Sequence, residues 1–231
     1  MSASLTRRTR WAVGSAVAVA LLFAGAATVA SARGDGAASA PLTPAADSAD
    51  AGFARDMAVH HQQAVEMSFL VRDTTDDEDV RRLAYDIANT QANQRGMLLG
   101  WLDLWELPKT APDGQGPMGW MADAHGGHGS HSGHGMQDME GMDHDGALMP
   151  GMATRTELER LRKARGKQAE ILFLQLMTDH HKGGVAMARG CAEQCAVAVE
   201  RRLAQGMVEA QRSELDLMAD MLAARGAAPR P

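Results

Sequence analysis

The chain matches itself at an offset of 120 residues, and no other feature restricts its fold as much. Phe53, Met57, His60, His61, Val65 and Met67 fall on Phe173, Met177, His180, His181, Val185 and Met187. Further along, Arg82, Leu83, Ala84 and Gln91 fall on Arg202, Leu203, Ala204 and Gln211 without a gap. Two HH-x5-M blocks, each followed by a second matching segment at one spacing, read as a duplication. Each unit is too small to cover its own apolar face, so the natural place for that face is against its copy.

Each repeat reads as two helices. At about 100° per residue, Phe53, Met57, His60, His61, Ala64, Met67, Ser68 and Val71 share an arc of roughly 120°, with Gln62 and Glu66 opposite. In the next segment Val80, Leu83, Ile87, Gln91, Gln94, Leu98, Trp101 and Trp105 form a matching stripe. Asp73-Thr74-Thr75-Asp76-Asp77 between them supplies a turn with N-cap candidates. The pattern predicts helices over about 51–72, 77–106, 154–189 and 195–225, with a break at Gly190. Two such hairpins predict an all-α protein, a four-helix bundle over 51–225 with a short tail at 226–231.

Composition agrees with that expectation. Aromatic residues are 4% of the chain, and Ala, Leu, Met, Glu and Arg dominate the periodic stretches, which favours helices over strands. A formal charge of −6 without a clustered basic face leaves no nucleic-acid signature.

The His residues, nine in all, fall into three tight groups, and Met is abundant at sixteen. On the first helix Met57, His60, His61 and Met67 lie on the buried face; Met177, His180, His181 and Met187 repeat the arrangement. Imidazole and thioether donors with few carboxylates suit copper, since thioethers favour Cu(I) and imidazole binds both oxidation states. Gln91, Gln94, Gln211 and Glu214 interrupt the apolar stripes of the partner helices. Buried amides and carboxylates need partners, and imidazole N–H groups would serve, fixing the ring tautomer from outside the ligand set.

Between the repeats, residues 107–153 are rich in Gly, Pro, Asp, His and Met and show no periodicity, which predicts a flexible crossover. His125, His128, His131, His134, Met136, Met139, Met142 and His144 within it form a second set of candidate copper ligands, of weak, fast-exchanging character. Cys191 and Cys195 are spaced C-x3-C. Outside the cytoplasm the default for such a pair is a disulfide clamping the turn between helices; a Cu(I) dithiolate is the alternative.

The N-terminus points to export. Arg7, Arg8 and Arg10 precede an uncharged Ala/Val-rich run from Trp11 to Ala30, and Ala30-Ser31-Ala32 offers a small-x-small cleavage pattern. The run is also about as long as a spanning helix, so residues 1–32 serve either as a cleaved signal or as a membrane anchor at 11–30. A polar, Ala/Pro-rich spacer at 33–50 follows.

The blocks FARDMAVHHQQAVEMS and FLQLMTDHHKGGVAMA, each followed by a helix carrying L-A and Gln or Glu, resemble the domain-of-unknown-function family 305 (DUF305). The resemblance implies a ferritin-like fold and binding of copper or silver for metal tolerance, through Met57, His60, His61, Met67, Met177, His180, His181 and Met187. The family usually carries Glu where this chain has Gln94, whereas Glu214 keeps that pattern. Gly183-Gly184 also departs from the family's usual filling. Two Gly inside a helix cost about 1 kcal/mol each relative to Ala, so close backbone packing is expected there. The function expected is therefore extracytoplasmic copper buffering or delivery. A Cu(I) oxidase on the same scaffold and a metal-free structural or sensory protein are the alternatives. A di-iron oxidase needs E-x-x-H motifs, and the chain has none.

Overall fold

A computed structural model describes residues 43–122 and 145–231. Among them are six helices and no strand: α1 (Ala49–Arg72), α2 (Glu78–Leu104), α3 (Gly119–Ala122), α4 (Arg155–Lys163), α5 (Gly166–Gln194) and α6 (Ala198–Ala224). The Trp11–Ala30 run lies outside the described residues. No helix among those described is long and apolar enough to cross a membrane.

Local chemistry sets three of the helix starts. Ser48 Oγ accepts the Ala51 N–H at the head of α1, and Asp77 Oδ1 accepts the Val80 N–H at the head of α2. Thr154 and Glu157 cap each other reciprocally at α4. α1 pairs with α2, α5 pairs with α6, and the two hairpins meet along α1 and α5. These two run antiparallel. Phe53 and Met57 share a core cluster with Met187, Ala188 and Cys191, while Met67 and Val71 share the other with Phe173 and Met177.

An acid at the head of each hairpin holds the turn of the other. The Asp50 carboxylate accepts the N–H groups of Ala196 (3.1 Å) and Val197 (2.7 Å) in the α5–α6 turn. Glu170 accepts the Thr75 hydroxyl (2.7 Å) in the α1–α2 turn and pairs with Arg225. Asp50 thus belongs to the core, not to the polar spacer predicted over 33–50.

Two further expectations are corrected. The third long helix does not run from 154 and break at Gly190. It is interrupted at Ala164-Arg165, where the backbone is extended, and α5 restarts as the Gly166 N–H donates to the Thr74 carbonyl at 2.8 Å. Gly190 remains helical and buried, and Met121 and Trp120 pack where a side chain would be; a Cβ there would lie 2.9 Å from the Met121 methyl.

The segment read as a flexible crossover is ordered at both of its described ends. Trp120 is buried against Phe53, ring centroids 5.9 Å apart, and donates its indole N–H to Asp56 at 2.9 Å. Met149 and Ala153 are also buried. Gly, Pro and Met composition signalled a lack of periodicity but carried no information on whether an irregular strap packs.

Candidate metal centre

All eight residues of the paired blocks are interior. Met57, Met67, Met177, Met187, His60, His61 and His181 are fully buried and His180 nearly so. The periodicity explains this, since each pair straddles the middle of its helix's apolar arc. Within a pair the two rings diverge. His60 and His180 meet at the α1–α5 seam, with centroids 3.7 Å apart and planes tilted by 32°. His61 and His181 each turn toward the second helix of their own hairpin.

The hydrogen bonds settle the tautomers of three rings. His61 Nε2 faces Gln94 Oε1 at 2.9 Å, His181 Nε2 faces Glu214 Oε2 at 2.7 Å, and His180 Nε2 faces the His60 carbonyl at 2.9 Å. Each partner is an oxygen acceptor, so each Nε2 carries a proton, and in the neutral ring Nδ1 then presents a bare lone pair. None of those three Nδ1 atoms has a hydrogen-bond partner, and His60, whose ring lies near the Pro150 carbonyl, makes no well-formed hydrogen bond at either nitrogen, which leaves five buried imidazole nitrogens without a well-formed one. An orphaned polar group in a protein interior costs about 1–3 kcal/mol, so the concentration of such atoms at one place marks these rings out from the rest of the core.

Electrostatics keeps His60, His61 and His180 neutral. Burial pushes His60 down to about 3, with the neighbouring His181 adding to the effect, and pushes His61 down to about 3, with His60 adding. His180 is held well below the ordinary value by burial and by the other three rings. A neutral imidazole is the form that binds metal, so these groups compete little with protons at pH 7.

The thioethers divide between the two ends. Met57 and Met187 sit in one core cluster and Met67 and Met177 in the other, one from each repeat on either side of the imidazoles. The donors offered are therefore nitrogen and sulfur. No three His, Cys, Asp or Glu ligand atoms close to within 4.8 Å around the His quartet; among the described residues that happens only at Cys191, Cys195 and Glu200. A closed three-imidazole cage or an oxygen-rich site is thus not what the quartet presents.

Of the polar residues expected behind the ligands, Gln94 and Glu214 touch imidazoles. Gln91 and Gln211 are buried but do not. Neither side-chain atom of Gln91 has a partner, and Gln211 packs on Gly184. Gly183 meets the expected close approach: the backbone of Pro150-Gly151 crosses α5 there, leaving no room for a Cβ. Sequence reasoning missed Gln63, whose side chain clamps this strap by accepting the Ala153 N–H (2.7 Å) and donating to the Ala153 carbonyl (2.9 Å). Its place beside His61 in a polar Gln-Gln pair concealed it. The strap continues from the His/Met-rich segment, whose candidate ligands His125, His128, His131, His134, Met136, Met139, Met142 and His144 lie outside the described residues. Cys191 and Cys195 are joined as a disulfide at the end of α5, with Cα atoms 4.8 Å apart.

The model of the family described as "Domain of unknown function (DUF305)" matches residues 50–222. A crystal structure of a DUF305 protein from Streptomyces coelicolor, described as secreted, is 59% identical, with a TM-score of 0.68, covering 81% of this chain and 99% of that one. A DUF305 fragment from Deinococcus radiodurans is 27% identical, with a TM-score of 0.58, covering 76% of this chain and 96% of that one. The Cu(I)-bound form of CopM is 18% identical, with a TM-score of 0.53 and coverage of 76% and 96%, a likeness of fold. CopM has also been solved with Cu(II) and with silver. Among curated proteins none matches the chain significantly.

Proposed function

The chain belongs to the DUF305 family, and on that footing we propose that it binds copper outside the cytoplasm and buffers or delivers it. The observation that carries this reading is the set of five nitrogens without a well-formed hydrogen bond on four buried imidazoles, with buried thioethers in the core clusters of the same helices. Bare Nδ1 lone pairs and soft sulfur suit Cu(I), accept Cu(II) and silver, and reject the hard cations that need oxygen cages. The forms in which CopM has been solved accord with this preference.

We read α1, α2, α5 and α6 as a ferritin-like four-helix bundle made by duplication, with the metal held between its halves. Residues 1–32 export the chain, and the disulfide and the secreted relative accord with an oxidising compartment. The His/Met-rich segment adds a second, weaker set of copper ligands.

The test is a copper titration in which residues 123–144 are replaced by a Gly/Ser linker. High-affinity binding should persist there and disappear when His60, His61, His180 and His181 are all changed to Gln. Undiminished binding by a helical quadruple variant would assign the metal function elsewhere.

A further inference from the structure

We propose that the corner where α5 meets α6 is a second, thiol-gated site for a thiophilic d10 cation, Cu(I) or Zn(II), held by both cysteine sulfurs and Glu200 once the disulfide is reduced. This site is separate from the His quartet and does not depend on its metal function.

Geometry is the first argument. A sulfur from Cys191, a sulfur from Cys195 and a carboxylate oxygen of Glu200 all lie within 4.8 Å of one another, and all three residues are buried. Thiolates are donors that both cations take, and Zn(II) takes a carboxylate beside them.

The second argument is the state of Glu200. Its side chain is fully buried, no N–H group or basic side chain meets either carboxylate oxygen, and its polar neighbour is the Asp50 carboxyl group. Burying a carboxyl is costly, and the neighbour it leans on is another carboxyl group, Asp50, already engaged with the Ala196 and Val197 N–H groups; a hydrogen bond between the two serves only protonated Glu200 and leaves its carboxylate form without a stabilising partner in the metal-free fold.

The third argument comes from the other half of the chain. At the 120-residue offset, Cys191, Cys195 and Glu200 correspond to Val71, Thr75 and Val80, which are buried as well. The equivalent corner of the α1–α2 hairpin packs with two valines, so the fold does not require a carboxylate there. The donor set exists in one half only.

Opening the site takes two electrons and two protons. A dithiol reductant attacks by thiol–disulfide exchange, the Cys191–Cys195 S–S bond breaks to two thiols, and the reductant leaves as its own disulfide. The cation then replaces the two thiol protons, which pass to solvent. In the oxidised form both sulfurs are bonded to each other and cannot ligate as thiolates.

The experiment uses the full chain, reduced anaerobically with a phosphine, freed of excess reductant, and titrated with Cu(I). A parallel arm uses Co(II) as the spectroscopic substitute for Zn(II). Reduced protein should bind one more equivalent than oxidised protein and develop thiolate-to-metal charge-transfer absorption, in the Cu(I) arm, the Co(II) arm or both. The band should survive changing His60, His61, His180 and His181 to Gln, and vanish in Cys191→Ser/Cys195→Ser. Glu200→Gln should keep the band and weaken affinity by at least about tenfold, a loss that even residues outside the ligand set can produce. Reduced wild-type protein without the band in either arm overturns the proposal, whatever the variants do. Wild-type affinity in Glu200→Gln overturns the three-donor assignment.

Discussion

His60 and His180 stack across the α1–α5 seam with ring centroids 3.7 Å apart, two neutral imidazoles in contact where protonation of either would set a charge in the protein interior. The metal-free fold is therefore sensitive to pH on its acid side. Unfolding returns His60 and His61 from about 3 to the ordinary 6.5. Between those values the unfolded chain binds more protons, so their contribution is complete above 6.5 and is lost as pH falls toward 3. The slope is up to about 1.4 kcal/mol per pH unit for each group. Glu200 works in the opposite sense. Burial, with Asp50 adding to it, raises Glu200 from 4.5 to about 9, so its contribution is complete below 4.5 and lost as pH rises through 9. Together these groups place maximum stability near 6.5. Denaturant midpoints across the range should show this, and Glu200→Gln should flatten the alkaline limb. An unchanged alkaline limb would mean that Glu200 is not held neutral in the fold.

The strap over α5 depends on a missing side chain. Gly183→Ala gains about 1 kcal/mol of helix propensity, but its Cβ would run into the Pro150 carbonyl, and overpacking of that kind costs about 1–3 kcal/mol. A lower melting temperature is expected. Gly206→Ala, inside α6 with nothing within 4 Å of its would-be Cβ, should instead raise stability by about 0.5–1 kcal/mol. Equal effects at the two positions would remove the strap's close approach as an explanation.

Gln63 holds the strap from the other side. Gln63→Ala leaves the buried N–H and C=O of Ala153 without partners, and a loss of about 2–3 kcal/mol in urea unfolding is expected. A change near zero would show that the strap is not fixed through this clamp.

The ends of the crossover are part of the core, and its middle can be tested separately. Replacing residues 123–144 by Gly/Ser should preserve a cooperative melt. Replacing all of 107–153 removes buried Trp120, Met149 and Ala153, and should lower the transition sharply or abolish it. Equal melting of the two replacements would show that those ends contribute nothing to the fold.

If the His quartet binds copper, its two halves differ in strength. His181 donates to a carboxylate, which makes it the better electron donor; His61 donates to the neutral Gln94. Glu214→Gln should weaken Cu(II) binding about tenfold and Gln94→Glu should strengthen it, measured by competition against a chelator. Identical affinities across the set would detach these side chains from the metal.

The sequence alone determined the helical class, the equivalence of positions 120 apart, and the inward face carrying Met57, His60, His61 and their counterparts. These follow from a 3.6-residue period, which is local and survives in a linear string. Tertiary structure decided what no local pattern encodes. Gln94 and Glu214 reach the imidazoles while Gln91 and Gln211 do not, because the choice depends on how two helices are rotated against each other. Gly190 has Trp120 and Met121, some seventy residues away, packed against its side, and α5 begins at Gly166 because Thr74 accepts its N–H. Glu200 finds two sulfurs beside it only when the α5–α6 turn closes. Each of these depends on contacts between residues distant along the chain, whose energies belong to the packed interior rather than to any segment of it.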